Sequence, residues 1–267
     1  MKYDFLVVEK KGRITTITLD RLGARNTLST GLMKELTEIA WELRDNPGIG
    51  VIILYGGKEF FSAGLDLNDP EILNILREHA AIRRMMLETG PRMCKAWEEL
   101  PQITIAAIEG FCVGGAVSLS LACDFRVMAE NAHIRISEID LGMNYSWGSI
   151  ARLVSLVGPA RSKKWVITAD KVECPEAMES GFAQWSCPPG HARDKALAIA
   201  EKIKDKPQMP VSMTKQTVNA MTGYASSIGH MDMDQFALTA LSEDSKEGIK
   251  AFLEKRRPSF NKGLPDD

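Results

Sequence analysis

Two short apolar segments set the strongest constraint on the fold, because each is continuous where a half-exposed strand would alternate. They are GVIILYGG (50–57) and ITIAAIEG (103–110). A strand that is apolar on both sides is typical of a parallel sheet covered by helices on both faces. Helical sequence precedes each one: apolar residues recur at helical spacing from Leu32 to Leu43, and a polar helical pattern covers about 70–99. This alternation predicts right-handed βαβ crossovers in an α/β fold.

The rest of the chain adds strands before residue 150 and mainly helices after it. FLVVEKKGRITTITLD (5–20) alternates about a central turn and predicts a β-hairpin. FRVMAE (125–130) and HIRIS (133–137) predict two further strands. Beyond about residue 150 the strand pattern fades and helical patterns follow one another. We therefore predict a core of residues 1–195 and a helical carboxyl-terminal lobe of residues 196–267.

Composition argues against several classes of function. The 267 residues carry a formal net charge of −2, so the basic surface that nucleic-acid binding requires is not expected. No apolar run approaches the roughly 18 residues of a membrane span, and MKYDFLVVEKKG is too polar for a signal peptide. The five cysteines form no C-x-x-C pair and do not combine with the histidines at ligand spacing. Buried free thiols in a reducing, cytoplasmic compartment are therefore expected, and a metal site is not.

Two glycine-containing loops follow predicted strands: FFSAGLDL (60–67) and CVGGAV (112–117). Ligands of parallel sheets bind at the carboxyl ends of strands, and a helix start leaves backbone N–H groups unpaired. Two such groups aimed at one point form an oxyanion hole. The second loop contains neither a G-x-G-x-x-G dinucleotide motif nor the G-K-[ST] of a phosphate loop. The alternative is that these glycines only permit close packing of helix on sheet.

A glutamate stands in an apolar context in RISEIDLGMNYSWGS (135–149). Glu138 ends the predicted strand and precedes Ile139, shortly before Gly142. Apolar surroundings raise the pKa of a carboxyl, which suits general acid–base chemistry near neutral pH. A surface glutamate at a strand end is the alternative. No G-x-S-x-G elbow occurs, so a hydrolase built on a serine nucleophile is not predicted.

Four motifs together carry a resemblance to a known family. FFSAGLDL, GFCVGGAVSLSLACDF, ISEIDLG and SKEGIKAFLEKRRPSF, in this order and spacing, resemble the enoyl-CoA hydratase/isomerase family, the crotonase superfamily. The resemblance extends from the hairpin to Phe260. It implies a crotonase-like spiral of ββα units, a helical trimerisation lobe, and a homotrimer or a hexamer of paired trimers. It also implies an acyl-CoA thioester as substrate, without metal or redox cofactor, coenzyme A entering as part of the substrate.

The resemblance further implies roles for individual residues. The family's oxyanion hole corresponds to the backbone N–H groups of Leu65 and Gly115, which would hold the thioester oxygen as it becomes an enolate. Glu138 corresponds to the second of two glutamates that hold and activate a water in typical hydratases. The positions that correspond to coenzyme A contacts are Arg25, Ala63, Asp66, Phe252 and Lys255, the last two often reaching the substrate of a neighbouring subunit.

The chain departs from the family pattern around this acid. Ser118 stands where the first glutamate is usual, and its hydroxyl stays protonated near neutral pH, so it cannot act as a carboxylate base. Tyr145 and Ser146 replace a proline and a glycine, and Tyr145 and Trp147 are candidates for the pocket wall. We expect enolate stabilisation with one acid–base group, Glu138, and Ser118 positioning a water or a substrate oxygen. A packing role alone for Ser118 is the alternative.

Several branches of the family resemble this reduced pair. Many isomerases keep only the acid that corresponds to Glu138, and hydroxycinnamoyl-CoA hydratase-lyases combine a serine at the first site with a glutamate at the second. Methylmalonyl-CoA decarboxylases have a tyrosine at the position of Tyr145. An isomerase and a hydratase or hydratase-lyase are the leading hypotheses. A decarboxylase that uses Tyr145 and a non-catalytic CoA-binding paralogue are the alternatives.

Overall fold

The computed structural model describes residues 3–75, 78–222 and 229–260. Its strands are β1 (Leu6–Lys11), β2 (Ile14–Leu19), β3 (Val51–Tyr55), β4 (Ile103–Ile108), β5 (Phe111–Val113), β6 (Phe125–Ala129), β7 (His133–Arg135), β8 (Val172–Glu173) and β9 (Trp185–Cys187). They form a six-stranded sheet in the order β1-β2-β3-β4-β6-β9 and a three-stranded sheet in the order β5-β7-β8. In the larger sheet β1 and β2 are the predicted antiparallel hairpin, and β2, β3, β4, β6 and β9 run parallel.

Helices separate these strands and dominate the last third of the chain. They are α1 (Thr30–Arg44), α2 (Pro70–Asn74), α3 (Ala80–Leu87), α4 (Thr89–Glu98), α5 (Gly115–Leu121), α6 (Ser149–Thr168), α7 (Cys174–Glu179), α8 (Ala192–Ile203), α9 (Gln208–Thr222), α10 (Gly229–Ala240) and α11 (Glu243–Leu253). The polar helical stretch predicted over 70–99 is therefore three helices. None of the helices within the described ranges is long and apolar enough to cross a bilayer.

The helix before β3 shows how the apolar spacing produces packing. Ser29 caps α1 by accepting a hydrogen bond from the Leu32 N–H at 3.2 Å, which satisfies one of the unpaired donors of the first turn. The apolar stripe between Leu32 and Leu43 is buried, as predicted. The indole N–H of Trp97 in α4 donates to the Leu36 carbonyl at 2.9 Å. The two helices are thereby held side by side on the sheet that carries the glycine loops.

Three short strands escape the sequence patterns. β5, β8 and β9 have two or three residues each, too few for a period to be recognised. β9 pairs with β6, Val127 lying opposite Trp185, so the chain after residue 150 returns to the larger sheet. The prediction that Glu138 ends a strand is wrong: β7 ends at Arg135, and Glu138 begins a 3₁₀ turn that runs to Leu141.

The predicted division at residue 195 falls inside α8, a helix that packs on β3, β4 and β6. Its start is held by Glu109 at the end of β4, whose carboxylate accepts from the Gly190 and Ala192 N–H groups at 2.9 and 2.7 Å. Residues 223–228 and 261–267 of the predicted lobe lie outside the described residues. The division into two units stays a prediction.

The cysteines are buried, and the potential metal ligands are not grouped. All five cysteines are free and buried, as predicted. Burial raises the pKa of the Cys94 and Cys123 thiols to about 12, so these thiols stay protonated and unreactive at neutral pH. In the described ranges, no three His, Cys, Asp or Glu side chains are grouped so that they could hold a metal ion.

Candidate active site

The two glycine loops lie against each other and form one backbone unit. The N–H groups of Phe61 and Ser62 donate to the Phe111 carbonyl at 3.0 and 3.2 Å, and the Val113 N–H donates to the Ser62 carbonyl at 3.1 Å. Gly64 has a φ of +86°, and a Cβ there would lie 2.5 Å from the Val113 carbonyl oxygen. Only glycine permits this conformation and this approach.

Both predicted oxyanion donors lie at this junction. Leu65 sits between Gly64, whose carbonyl accepts from the Leu28 N–H at 2.7 Å, and Asp66, whose N–H donates to the Leu28 carbonyl at 3.2 Å. Gly115 opens α5, and its nitrogen is 3.4 Å from a Cβ built on Gly64. Among the described residues, the N–H groups of Leu65 and Gly115 have no hydrogen-bond acceptor. The pair is therefore free to bind an oxygen of a ligand.

The carboxyl group of Glu138 lies directly beside the second loop. A Cβ on Gly114, whose φ is +54°, would be 2.9 Å from Glu138 Oε1. Glu138 Oε2 is buried and has no hydrogen-bond partner among the described residues. Burial raises the pKa of Glu138 from 4.5 to about 7, although the N–H groups of Glu138 and Ser137 oppose the shift. Near neutral pH this carboxyl group can therefore both accept and donate a proton.

Two buried hydroxyl groups, those of Ser118 and Tyr145, lie at the position where the family usually has its first glutamate. Ser118 lies one turn into α5, and its Oγ donates to Tyr145 Oη at 3.1 Å. Both residues are almost fully buried. Burial, reinforced by the negative charge of Glu138, raises the pKa of Tyr145 well above 10. The phenol is therefore a neutral hydrogen-bonding group within range of the charge of Glu138.

Trp147 forms a wall next to the same loop. A Cβ on Gly115 would lie 2.6 Å from Cζ3 of its indole, and a Cβ on Gly90 of α4 would lie 2.1 Å from Cε2. Both positions must be glycine for the indole to occupy this place. Sequence reasoning proposed Trp147 for the pocket wall but gave no role to Gly90, because no local pattern links α4 to this loop.

Charged side chains from distant elements hold the Trp147 loop in place. Asp232 of α10 accepts from the Gly148 N–H at 2.8 Å and from Ser146 Oγ at 3.2 Å. Arg152 donates to the Trp147 carbonyl at 2.8 Å and binds the Glu98 carboxylate at 2.9 Å through two of its nitrogens. Burial raises the pKa of Asp232, opposed by these hydrogen bonds. Neither Asp232 nor Arg152 was identified from sequence: Asp232 lies 84 residues from Gly148, and Arg152, although only five residues from Trp147, is held by the remote Glu98.

Three of the predicted coenzyme A contacts, Arg25, Ala63 and Asp66, lie in or against the first loop, but their side chains differ in exposure. The Ala63 N–H donates to the Arg25 carbonyl at 3.0 Å, and the Arg25 side chain is exposed. Asp66 is buried: it forms an ion pair with Arg21 at 3.0 Å and accepts from the Asn68 N–H at 3.1 Å. Its carboxylate therefore holds the loop from inside.

Phe252 and Lys255 lie at the end of α11, on the surface of the chain. The Phe252 side chain is 60% exposed, and Lys255 is exposed as well. The helix packs on the 3₁₀ turn of Glu138, where a Cβ on Gly248 would lie 2.6 Å from the Leu141 carbonyl carbon. No contact within the described ranges brings these two side chains to the glycine loops, and their role in binding stays a prediction.

A cavity of about 610 Å³ lies elsewhere, between α6, α9 and the start of β6. Of its charged lining groups, Lys215 Nζ is 2.7 Å from Asp124 Oδ2, Arg152 binds Glu98, and Arg126 donates to the Ser120 and Cys123 carbonyls. None of the glycine-loop residues lines it. The cavity is therefore separate from the junction of the loops.

Comparison with known proteins agrees with the resemblance. The family model for enoyl-CoA hydratase/isomerase matches residues 9–263, and the chain belongs to this family. A crotonyl-CoA hydratase from Syntrophomonas wolfei is 30% identical, with 97% of this chain and 99% of the relative covered. The chain is accordingly an acyl-CoA enzyme of the enoyl-CoA hydratase/isomerase family.

Solved structures confirm the fold. An enoyl-CoA hydratase from Bacillus anthracis has a TM-score of 0.76 at 30% identity, over 96% of this chain and 98% of that one. An enoyl-CoA hydratase from Mycobacterium avium subsp. paratuberculosis has a TM-score of 0.85 at 21% identity, over 97% and 99%. The predicted crotonase-like α/β fold is correct.

Proposed function

We propose that the enzyme moves the double bond of an unsaturated acyl-CoA thioester, with Glu138 as the only proton carrier. The observation that supports this is the carboxyl group of Glu138 beside Gly114, which has a pKa of about 7 and a buried oxygen without a hydrogen-bond partner among the described residues, whereas the Asp66 carboxylate is paired with Arg21. Double-bond migration needs one group that takes a proton from one carbon and returns it to another. No water is consumed in the reaction.

The proposed mechanism uses the two free N–H groups as the oxyanion hole. The thioester oxygen accepts from Leu65 and Gly115, while Glu138 removes a proton from the α carbon of a 3-enoyl thioester. The electron pair delocalises onto the thioester oxygen as a dienolate, and Glu138 returns the proton to the γ carbon to give the 2-enoyl product. Each N–H donor contributes about 3 kcal/mol to the transition state of such reactions.

Hydration is the second candidate, favoured by the name of the relative at 30% identity, a crotonyl-CoA hydratase. In this case the hydroxyl groups of Ser118 and Tyr145, 3.1 Å apart, would hold the water that Glu138 activates. A hydratase-lyase would use the same arrangement. A decarboxylase would instead rely on the phenol of Tyr145 as a proton donor.

The remaining features of the proposal concern binding and assembly. Coenzyme A enters as part of the substrate, and no further cofactor is required. The proposed coenzyme A contacts are Arg25, Ala63, Phe252 and Lys255, with Asp66 acting through the loop that it holds. We also propose a homotrimer or a hexamer, and a cytoplasmic location, for which the five buried free thiols are the support.

The test is a panel of 2-enoyl-, 3-enoyl- and 2-methylmalonyl-CoA thioesters in heavy water with mass readout. We expect isomerisation of the 3-enoyl thioester without the mass of added water, with deuterium entering only as far as the protonated Glu138 exchanges with solvent before it returns the proton. Glu138→Gln should lower this rate by about 10²–10⁴-fold, because the amide cannot carry the proton. The exposed Glu130→Gln serves as the matched control and should leave it unchanged.

Ser118→Ala separates the two candidates. Isomerisation should survive within about tenfold, whereas hydration should fall much further because its water loses a hydrogen bond. Full activity of Glu138→Gln on the preferred substrate would contradict the proposal and move the Tyr145-dependent decarboxylase ahead.

A further inference from the structure

The indole of Trp147 is held in a slot that two glycines keep open. Its six-membered ring approaches Gly115, the residue whose N–H is a proposed oxyanion donor, and its ring-fusion atoms lie over Gly90 of α4. A methyl group at either position would come within 2.6 Å of the ring, closer than carbon atoms approach in folded proteins. The ring is thus close to the place where the acyl chain would extend from the thioester carbon.

The backbone of Trp147 is in a conformation that bulky residues rarely adopt. Its φ is +66°, in the left-handed region that costs a large side chain free energy and is found mainly where the surroundings enforce it. The enforcing contacts lie on the peptide bond that follows it, where Arg152 binds its carbonyl and Asp232 binds the N–H of Gly148, and on the residue before it, where Asp232 accepts from Ser146 Oγ. These contacts fix the backbone from which the indole projects into the slot.

The neighbouring walls are equally filled. Tyr145 is buried behind Ser118, and Leu28 Cδ1 lies 3.5 Å from a Cβ built on Gly115. Carbon atoms that extend past the reacting part of an acyl group would meet the indole, which the two glycines seat beside the proposed oxyanion donor. A wall of this kind discriminates by size, since one extra methylene in an apolar pocket changes binding or turnover by roughly 10- to 200-fold.

We infer that Trp147 is the specificity-determining residue of the site and limits the substrate to a short-chain acyl-CoA. This inference rests on the proposed function, because it takes the Gly115 N–H as the position of the thioester oxygen. It concerns the size of the acyl group, whereas the proposed function concerns the proton transfer.

The test measures binding of saturated thioesters, which cannot react, by titration calorimetry. Butyryl-, hexanoyl-, octanoyl- and dodecanoyl-CoA are titrated into the wild type, Trp147→Ala and Trp147→Leu, with Trp41→Ala on the exposed face of α1 as the matched control. In the wild type, dodecanoyl-CoA should bind at least tenfold more weakly than butyryl-CoA. Trp147→Ala should reduce that ratio at least tenfold, Trp147→Leu should reduce it less, and Trp41→Ala should leave it unchanged.

Equal affinity of the wild type for butyryl- and dodecanoyl-CoA would overturn the inference, even if neither Trp147 variant folds. A ratio that changes by less than threefold in a folded Trp147→Ala protein would overturn it too. Because saturated thioesters report binding alone, these outcomes are independent of the deuterium-exchange test of Glu138.

Discussion

The two halves of the candidate site are built in different ways. The glycine loops at 60–67 and 112–117 are joined by backbone hydrogen bonds, such as that from the Val113 N–H to the Ser62 carbonyl. The segment that carries Tyr145 and Trp147 is held by side chains of remote elements, among them Asp232. Backbone contacts depend little on side-chain identity apart from the glycines, whereas side-chain contacts change with every substitution.

The two halves also differ in how far their residues follow the pattern of the family. The loops carry the motifs that the chain shares with its family, and under the proposed function they carry the chemistry common to it, the stabilisation of an enolate. Apart from Ser118 in α5, the departures from the family pattern lie in the Tyr145–Trp147 segment, and under our proposals this segment sets which acyl group is accepted. The comparison teaches that a shared reaction can be fixed in backbone while the choice of substrate is left to replaceable side chains.

The largest effect is expected where the two halves touch, at Gly115. Gly115→Val should lower kcat/KM by about 10²–10³-fold, the usual cost of losing an oxyanion donor, because the new side chain displaces the ligand oxygen. Steady-state kinetics on the preferred thioester measures it. Gly23→Val, where a Cβ meets nothing within 4 Å, is the control.

The new valine side chain would also clash with the Trp147 indole. The double variant with Trp147→Ala therefore separates the loss of the oxyanion donor from the clash with the indole. If the oxyanion assignment is correct, removing the indole leaves the loss in place. Recovery to within tenfold of the Trp147→Ala single variant would show that the clash with Trp147 was the cause and would remove Gly115 from the oxyanion hole.

A smaller effect is expected on the free energy of unfolding, from the buried carboxyl group of Glu138 beside Gly114. The folded pKa of Glu138, about 7, lies above its ordinary 4.5, so the native state binds the proton more tightly than the unfolded chain. The free energy of unfolding of the wild type should therefore fall, relative to Glu138→Gln, as pH rises from about 4.5 to 7. A pKa shift of this size corresponds to a loss of about 3 kcal/mol in the free energy of unfolding. The loss is complete once the pH is above the folded pKa of about 7.

Urea unfolding of both proteins at pH 4.5 and pH 8 measures this difference, with Glu130→Gln as the control for loss of a surface charge. If the difference in free energy of unfolding between the wild type and Glu138→Gln is the same at pH 4.5 and pH 8, the carboxyl group is well solvated. The buried, catalytic environment of Glu138 would then be wrong.

The smallest effect is expected in the half held by side chains. Asp232→Ala should lower the free energy of unfolding by about 1–3 kcal/mol, because two buried donors, the Gly148 N–H and Ser146 Oγ, lose their acceptor. Asp234→Ala, two residues along the same helix, removes only an exposed ion pair with Arg84 and should cost less than about 1 kcal/mol. Thermal unfolding of the pair measures both, and equal losses would mean that Asp232 does not hold the loop.

Sequence alone determined the parts of the protein that rest on local patterns. The continuous apolar runs of β3 and β4, the helical stripe of α1 and the hairpin were all readable, because burial on one or both faces imposes a period. The glycine loops and Glu138 were candidates for a related reason, and the resemblance to the family is what assigned them a role. A backbone that must approach another closely requires glycine, and an acid in apolar sequence is unusual.

Only the tertiary structure decided how these parts meet. It placed Glu138 on a 3₁₀ turn against Gly114, returned β9 to the sheet, and buried Asp66 against Arg21. Strands of two or three residues have no measurable period. The contacts of Asp232 and Gly90 join elements far apart in the chain, and no local pattern encodes a partner whose position depends on the packing of the whole fold.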